Sequence, residues 1–124
     1  MTEVALLRKK YGVVDHDPNL EWVLVKTVIL VAGWNRDATS VFFLLGGGYP
    51  STPPDNFYVP SGLRPANGGS VSNLTPNAIT RDGVQWDMYS WHHESGWSPT
   101  ARPEDGSNLV TFMLEVERRL SEAC

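Results

Sequence analysis

Cysteine is almost absent from this chain, which has one, Cys124, among its 124 residues. A disulfide framework and a cysteine-rich zinc site are therefore excluded, because each needs several thiols. A thiol nucleophile within the body of the chain is also excluded, because the one cysteine is residue 124.

Positive charge and long apolar runs are also scarce. Ten Lys and Arg oppose 14 Asp and Glu, and the only basic run is Arg8-Lys9-Lys10. Proteins that bind nucleic acids are usually basic over the contact surface, so no nucleic-acid partner is expected. No apolar segment reaches the ~18 residues that cross a bilayer, and the first residues lack the basic region of a signal peptide. These features predict a cytoplasmic protein without a membrane partner.

The rest of the composition is that of a folded domain. Apolar residues make up 41% of the chain and charged residues 19%, which places it among globular proteins rather than disordered ones. The length predicts a single domain over residues 1–124. Metal ligands are few: His92 and His93 are adjacent and would point to opposite faces of an extended chain, so neither a metal site nor a cofactor is expected.

The residue pattern predicts helices at both ends and strands between them. A short helix is expected over residues 2–10 and an amphipathic one over 105–123, capped by Asp105 or Ser107. The core stripe of the second helix is predicted to be Leu109, Phe112, Met113, Val116 and Leu120.

The strands are expected where β-branched and aromatic residues cluster. They are predicted at 21–31, 39–45 and 56–59, with an aromatic segment at 84–93. Residues 60–83 are rich in Gly and Pro without a usable period, and Asp15 and Asp17 suggest a turn. The predicted fold class is α+β, an antiparallel meander sheet of three or four strands with N-terminal and C-terminal helices.

Short motifs occur in an order that is typical of one enzyme family. They are Gly48-Tyr49-Pro50, Pro54-Asp55, Thr75-Pro76-Asn77, Asp82-Gly83 and Trp97-Ser98-Pro99. Their order and spacing resemble those of ubiquitin-conjugating enzymes, with Thr75 in place of the histidine of a His-Pro-Asn box. The resemblance extends from about Leu6 to Leu120 and implies the UBC-like fold.

One segment departs from that family and resembles a bacterial branch of it. The family's catalytic cysteine would fall near Gln85 and Trp86, where the chain has none. The bacterial branch, encoded beside activating-enzyme-like and peptidase-like proteins, has a late Trp-x-x-x-Ser-x-His segment, here Trp86, Ser90 and His92. Oxyester carriers are associated with such pathways. The resemblance therefore implies an acyl carrier at Ser90, with a ubiquitin-like protein, an activating enzyme and a protein amine as partners.

The chemistry of a serine carrier sets further requirements. A serine hydroxyl needs an adjacent base, and His92 lies on the same side as Ser90 if the chain is extended. Asp87 or Glu94 is a candidate to orient the imidazole. Asn77 corresponds to the family residue thought to stabilise the oxyanion.

Alternatives to this hypothesis stay open. A catalytically inactive UBC-like module would bind a ubiquitin-like protein or an activating enzyme non-covalently. A hydrolase using Ser90 and His92 is less favoured, because no nucleophile-elbow glycines surround Ser90. The run Arg8, Lys9 and Lys10 is either a solvated helix end or, by resemblance, a contact for the activating enzyme.

Overall fold

The computed structural model describes residues 3–19, 21–45, 49, 54, 56–69, 71, 73–89 and 108–122. Within them the chain forms one antiparallel sheet in the order β1-β2-β3-β4-β6-β5, accompanied by two helices. The helices are α1 (Glu3–Tyr11) and α2 (Leu109–Glu122). The strands are β1 (Val14–His16), β2 (Trp22–Ile29), β3 (Ala38–Leu44), β4 (Phe57–Pro60), β5 (Leu74–Arg81) and β6 (Val84–Tyr89).

The α+β class is confirmed, but the predicted strand count of three or four is wrong, because the sheet has six. The turn expected around Asp15 is the short edge strand β1, and β5 lies inside the segment expected to be irregular. Pro76 and a register shift between Thr75 and Ile79 interrupt the alternation that would reveal β5. Proline is tolerated there because β5 is also an edge strand.

Helix α2 packs on one face of the sheet, as its apolar stripe predicts. All five stripe residues are buried, and the rings of Phe112 and Phe43 lie 4.8 Å apart. The helix is capped by Asn108 rather than by Asp105 or Ser107, which lie outside the described residues. Its Oδ1 accepts hydrogen bonds from the backbone N–H groups of Val110 and Thr111, at 2.8 and 3.1 Å.

Two tyrosine–glutamate hydrogen bonds hold α1 in place. The Tyr11 hydroxyl donates to Glu117 of α2 at 2.7 Å, and the Tyr49 hydroxyl donates to Glu3. Glu3 also accepts the backbone N–H of Leu109 at 3.1 Å, at the start of α2. Burial and the adjacent carboxylates raise the pKa of both tyrosines, so they remain protonated donors.

The opposite face of the sheet carries an aromatic cluster. Phe42 lies at its centre, with the Trp86 and Tyr58 rings each 5.8 Å away. The Arg81 guanidinium covers the rings of Trp22 and Phe42, at 4.1 and 4.8 Å from their centroids. Strand β3 is therefore covered on both faces, as its nearly continuous apolar sequence predicts.

Candidate functional site

The described part of the candidate site is the β5–β6 hairpin. Ser90 and His92 follow β6 directly in the sequence and lie outside the described residues, as do Glu94 and the motif at 97–99. The last described residue of β6 is Tyr89, which is fully buried and stacks on Phe57 at a centroid distance of 4.9 Å. The strand that leads to Ser90 is therefore anchored in the core.

A two-residue turn fixes the hairpin. Asp82 and Gly83 both have positive φ angles, 50° and 78°, and Arg81 pairs with Val84 across them. Two consecutive positive φ angles are the signature of a type I′ turn, for which Asp-Gly is a preferred sequence. The local sequence therefore determines how β5 faces β6.

Asn77 lies in a bulge of β5. Thr75 pairs with Met88 and Ile79 with Trp86, so residues 76–78 lie opposite a single β6 residue, Asp87. Asn77 has a left-handed backbone with φ of 52°, a conformation that asparagine adopts more readily than most residues. Asn77 is an exposed residue, and its backbone N–H donates to Asp87 Oδ1 at 2.8 Å. The bulge therefore lies at the surface of the hairpin.

Asp87 is the buried polar centre of this region. The residue has no exposed surface, and each carboxylate oxygen accepts two hydrogen bonds. Oδ1 accepts from Ser61 Oγ at 2.8 Å and from the Asn77 N–H. Oδ2 accepts from Arg64 Nη1 at 2.7 Å and from the Gly62 N–H at 3.3 Å. One carboxylate therefore joins β6, β5 and the loop that follows β4.

The charge state of Asp87 follows from these contacts. Burial raises the pKa of the carboxyl, but the hydrogen bonds from Arg64, Asn77, Ser61 and Gly62 outweigh burial and hold its pKa below the ordinary 3.8. Asp87 is consequently ionised at neutral pH. The Arg64 side chain, 35% exposed, supplies the compensating charge.

The sequence suggests Asp87 or Glu94 as the acid that orients His92. In the structure the Asp87 oxygens are already occupied by four donors, so this carboxylate serves the hairpin and the β4 loop. Sequence reasoning missed Arg64, Ser61 and Gly62 as its partners. The available signal was a carboxylate between Trp86 and Met88 in an apolar strand, because a buried acid requires donors.

A protein-family model described as Prokaryotic E2 family E matches residues 7–123. The chain belongs to this family. No curated protein and no solved structure matches the chain. Membership makes it a bacterial ubiquitin-conjugating-like protein and implies interaction with ubiquitin-like proteins and activating enzymes in general.

The basic run of this E2-family protein lies at the exposed end of α1. Arg8 has a local structural role, because its guanidinium donates to the carbonyl of Val14 at 3.0 and 3.3 Å and closes the connection to β1. Lys10 lies over the Tyr11 ring at 5.4 Å. The Lys9 side chain makes no hydrogen bond or ion pair within the part of the chain described, and the residue is exposed. The three residues therefore differ in availability to a partner.

Two other properties of the E2-family protein concern metals and membranes. Among the residues given positions, no group of three His, Cys, Asp or Glu side chains is placed to hold a metal ion. No helix of the described ranges is long and apolar enough to cross a membrane.

Proposed function

We propose that this protein is an acyl carrier of a bacterial ubiquitination-like pathway, folded as a single UBC-like domain over residues 1–124. It accepts the C-terminus of a ubiquitin-like protein from an activating enzyme as an oxyester on Ser90 and transfers it to an amine. The observation that carries this proposal is membership of an E2 family by a chain whose single cysteine is Cys124.

The first step forms the oxyester. Ser90 Oγ attacks the activated carbonyl carbon at the C-terminus of the modifier, and His92 takes the hydroxyl proton. A C–O bond forms, the bond from the carbonyl to the donor's leaving group breaks, and that group departs with its electron pair and accepts the proton from His92. The carrier then holds the modifier as an ester.

The second step forms the amide. The amine of the acceptor attacks the ester carbonyl and gives one proton to His92. The C–N bond forms, the bond to Ser90 Oγ breaks, and His92 returns the proton to the serine oxygen. Amide and free serine are the products, and no further reactant is required.

Asn77 is the candidate for stabilising the charge of the oxyanion. Asn77 is an exposed residue whose side chain offers two N–H donors, while its backbone N–H is held by Asp87 at 2.8 Å. A fixed backbone reduces the reorganisation that the donor needs when negative charge develops on the carbonyl oxygen. These features support Asn77 as the proposed oxyanion donor in both steps.

The chemical lability of the adduct tests the proposal. The protein is incubated with ATP, an activating enzyme and the ubiquitin-like protein, and the adduct is treated with excess thiol or with mild base. An oxyester is expected to survive the thiol and to be cleaved by base. An adduct released by thiol, or no adduct under conditions that charge the activating enzyme, would overturn the proposal.

His92→Gln is expected to slow formation of the adduct by roughly 10²-fold, the lower end of the contribution of a positioned general base. The matched control is His16→Gln, because His16 lies in β1, at the opposite edge of the sheet from β5. Single-turnover kinetics measure both rates. Equal rates for His92→Gln and wild type would remove His92 from the mechanism.

Lys9→Glu is expected to weaken association with the activating enzyme by about threefold to tenfold, mainly through the association rate. The free energy of unfolding should fall by less than about 1 kcal/mol, the size of a helix-dipole effect in the last turn of α1. Lys26→Glu is the control, a charge reversal at an exposed lysine that pairs with Asp15 in β1. Binding kinetics at two salt concentrations measure the effect, and equal losses for both variants would argue against a contact at α1.

A second candidate is the inactive binding module. It is favoured by Thr75 in place of the histidine of a His-Pro-Asn box and by the absence of a cysteine near Gln85 and Trp86. Binding of the ubiquitin-like protein or the activating enzyme with no covalent adduct, measured by titration and gel electrophoresis, would select this candidate.

A further inference from the structure

We propose that Asp87 is a positioning residue that sets the conformation of the Asn77 bulge. The inference rests on the proposed function for its catalytic consequence. Its structural basis is the carboxylate that joins three segments of chain.

The bulge depends on this side chain rather than on the sheet alone. The β5–β6 pairing is interrupted between Thr75 and Ile79, and the Asn77 N–H donates to Asp87 Oδ1 inside the interruption. A left-handed backbone at a non-glycine residue costs free energy and persists only where its surroundings hold it. The contact with Asp87 supplies that restraint and fixes the backbone from which the Asn77 side chain extends.

The same carboxylate fixes β6 from its other side. Ser61 Oγ, the Gly62 N–H and Arg64 Nη1 all approach Asp87 from the loop after β4. Gly62 has a φ of 101°, a backbone conformation that strains any residue with a Cβ, so this loop conformation favours glycine. Asp87 is three positions before Ser90 in the sequence, so the anchor lies immediately ahead of the proposed nucleophile.

The geometry favours a positioning role over simple stabilisation. A buried ion pair is weak support for stability, since apolar residues of similar volume often stabilise a fold as well. Hydrogen bonds are directional, however, and four donors on one carboxylate define the relative placement of β5, β6 and the β4 loop. If Asp87 acts through Asn77, removing either residue should cause the same catalytic loss.

A double-mutant cycle tests this dependence. Asp87→Ala removes both acceptor oxygens, and Asn77→Ala removes the proposed donor. Asp87→Ala is expected to lower the maximal rate of adduct formation by about tenfold or more, with little change in the half-saturating donor concentration. Combined with Asn77→Ala it should cause no loss beyond that of Asn77→Ala alone. Losses that multiply, or a wild-type rate in folded Asp87→Ala, would overturn the proposal.

Amide hydrogen exchange at Asn77 provides a readout that needs no adduct. Asp87→Ala removes the acceptor and is expected to speed exchange of the Asn77 N–H at least tenfold more than exchange of the α2 amides, which report the overall loss of stability. Ser61→Ala removes a different donor to the same carboxylate and should leave Asn77 protected. It replaces Asp87→Ala as the test variant if Asp87→Ala does not fold.

The two measurements separate the two proposals. Absence of any Ser90 adduct in the wild type would overturn the proposed function, whereas exchange at Asn77 that rises no more than exchange of the α2 amides in Asp87→Ala would overturn the positioning role. If only Ser61→Ala folds, the measurement is exchange of the Asn77 N–H in that variant. Faster exchange there would overturn the role, because Asp87 is still present and would not be holding the bulge.

Discussion

The Ser90→Ala variant is expected to form no thiol-resistant, base-labile adduct while unfolding at the wild-type temperature. Alanine removes the oxygen that would become acylated, and the proposed mechanism provides no second carrier. Ser121→Ala is the matched control: Ser121 lies in α2, where its hydroxyl donates to the Arg118 carbonyl at 2.8 Å. Gel electrophoresis after reconstitution and thermal unfolding measure the two properties.

Two results would contradict this expectation. An unchanged amount of base-labile adduct in Ser90→Ala would assign the ester to another residue. Equal loss of the adduct in Ser121→Ala would show that the assay does not depend specifically on Ser90.

The Asp87→Ala variant is expected to lose about 3 kcal/mol of unfolding free energy, near the lower end for breaking a buried ion pair. The truncation leaves the Ser61 hydroxyl, the Gly62 and Asn77 N–H groups and the Arg64 guanidinium without their acceptor. The lower end of this range of stability losses applies because the Arg64 side chain is 35% exposed and its guanidinium can be solvated again. Urea denaturation measures the loss.

Asp15→Ala is the control for removal of an acid. Its pair with Lys26 at 3.3 Å is exposed on both sides, so a change below about 1 kcal/mol is expected. A loss of similar size in the two variants would mean that burial of Asp87 does not determine its contribution.

The stability contributed by Asp87 should depend on pH. The hydrogen bonds hold its folded-state pKa below the ordinary 3.8, to which unfolding returns it. Stabilisation is therefore complete above the unfolded pKa and is lost as the pH falls through the folded pKa. The difference between wild type and Asp87→Ala should be constant near neutral pH and should shrink below about pH 4. A constant difference down to pH 2 would contradict the account.

The sequence predicts those elements whose burial imposes a regular period. Leu109, Phe112 and Leu120 recur at helical spacing because α2 turns one face to the core, and all three are buried. β5 lacks such a period because its bulge places residues 76–78 opposite Asp87 and shifts the register. A strand at the sheet edge with a proline and a bulge therefore looks irregular in sequence.

The candidate site also has one part that the sequence predicts and another that only the fold shows. Asn77 can be chosen from its tripeptide, but its contact with Asp87 joins residues ten positions apart across a hairpin. The contact between Arg64 and Asp87 spans 23 positions. Neither separation belongs to a helical or strand period, so only the fold brings these groups together. The roles of Ser90 and His92 remain predictions from the sequence.

Mass spectrometry of the acylated residue tests the central claim most directly. The reconstituted adduct is isolated under denaturing conditions in excess thiol and digested, and the peptides carrying the C-terminal remnant of the modifier are sequenced. The account predicts that the ATP-dependent remnant is on Ser90. An ATP-dependent remnant on Lys9 or another lysine with Ser90 unmodified, or an adduct that the thiol releases before digestion, would contradict it.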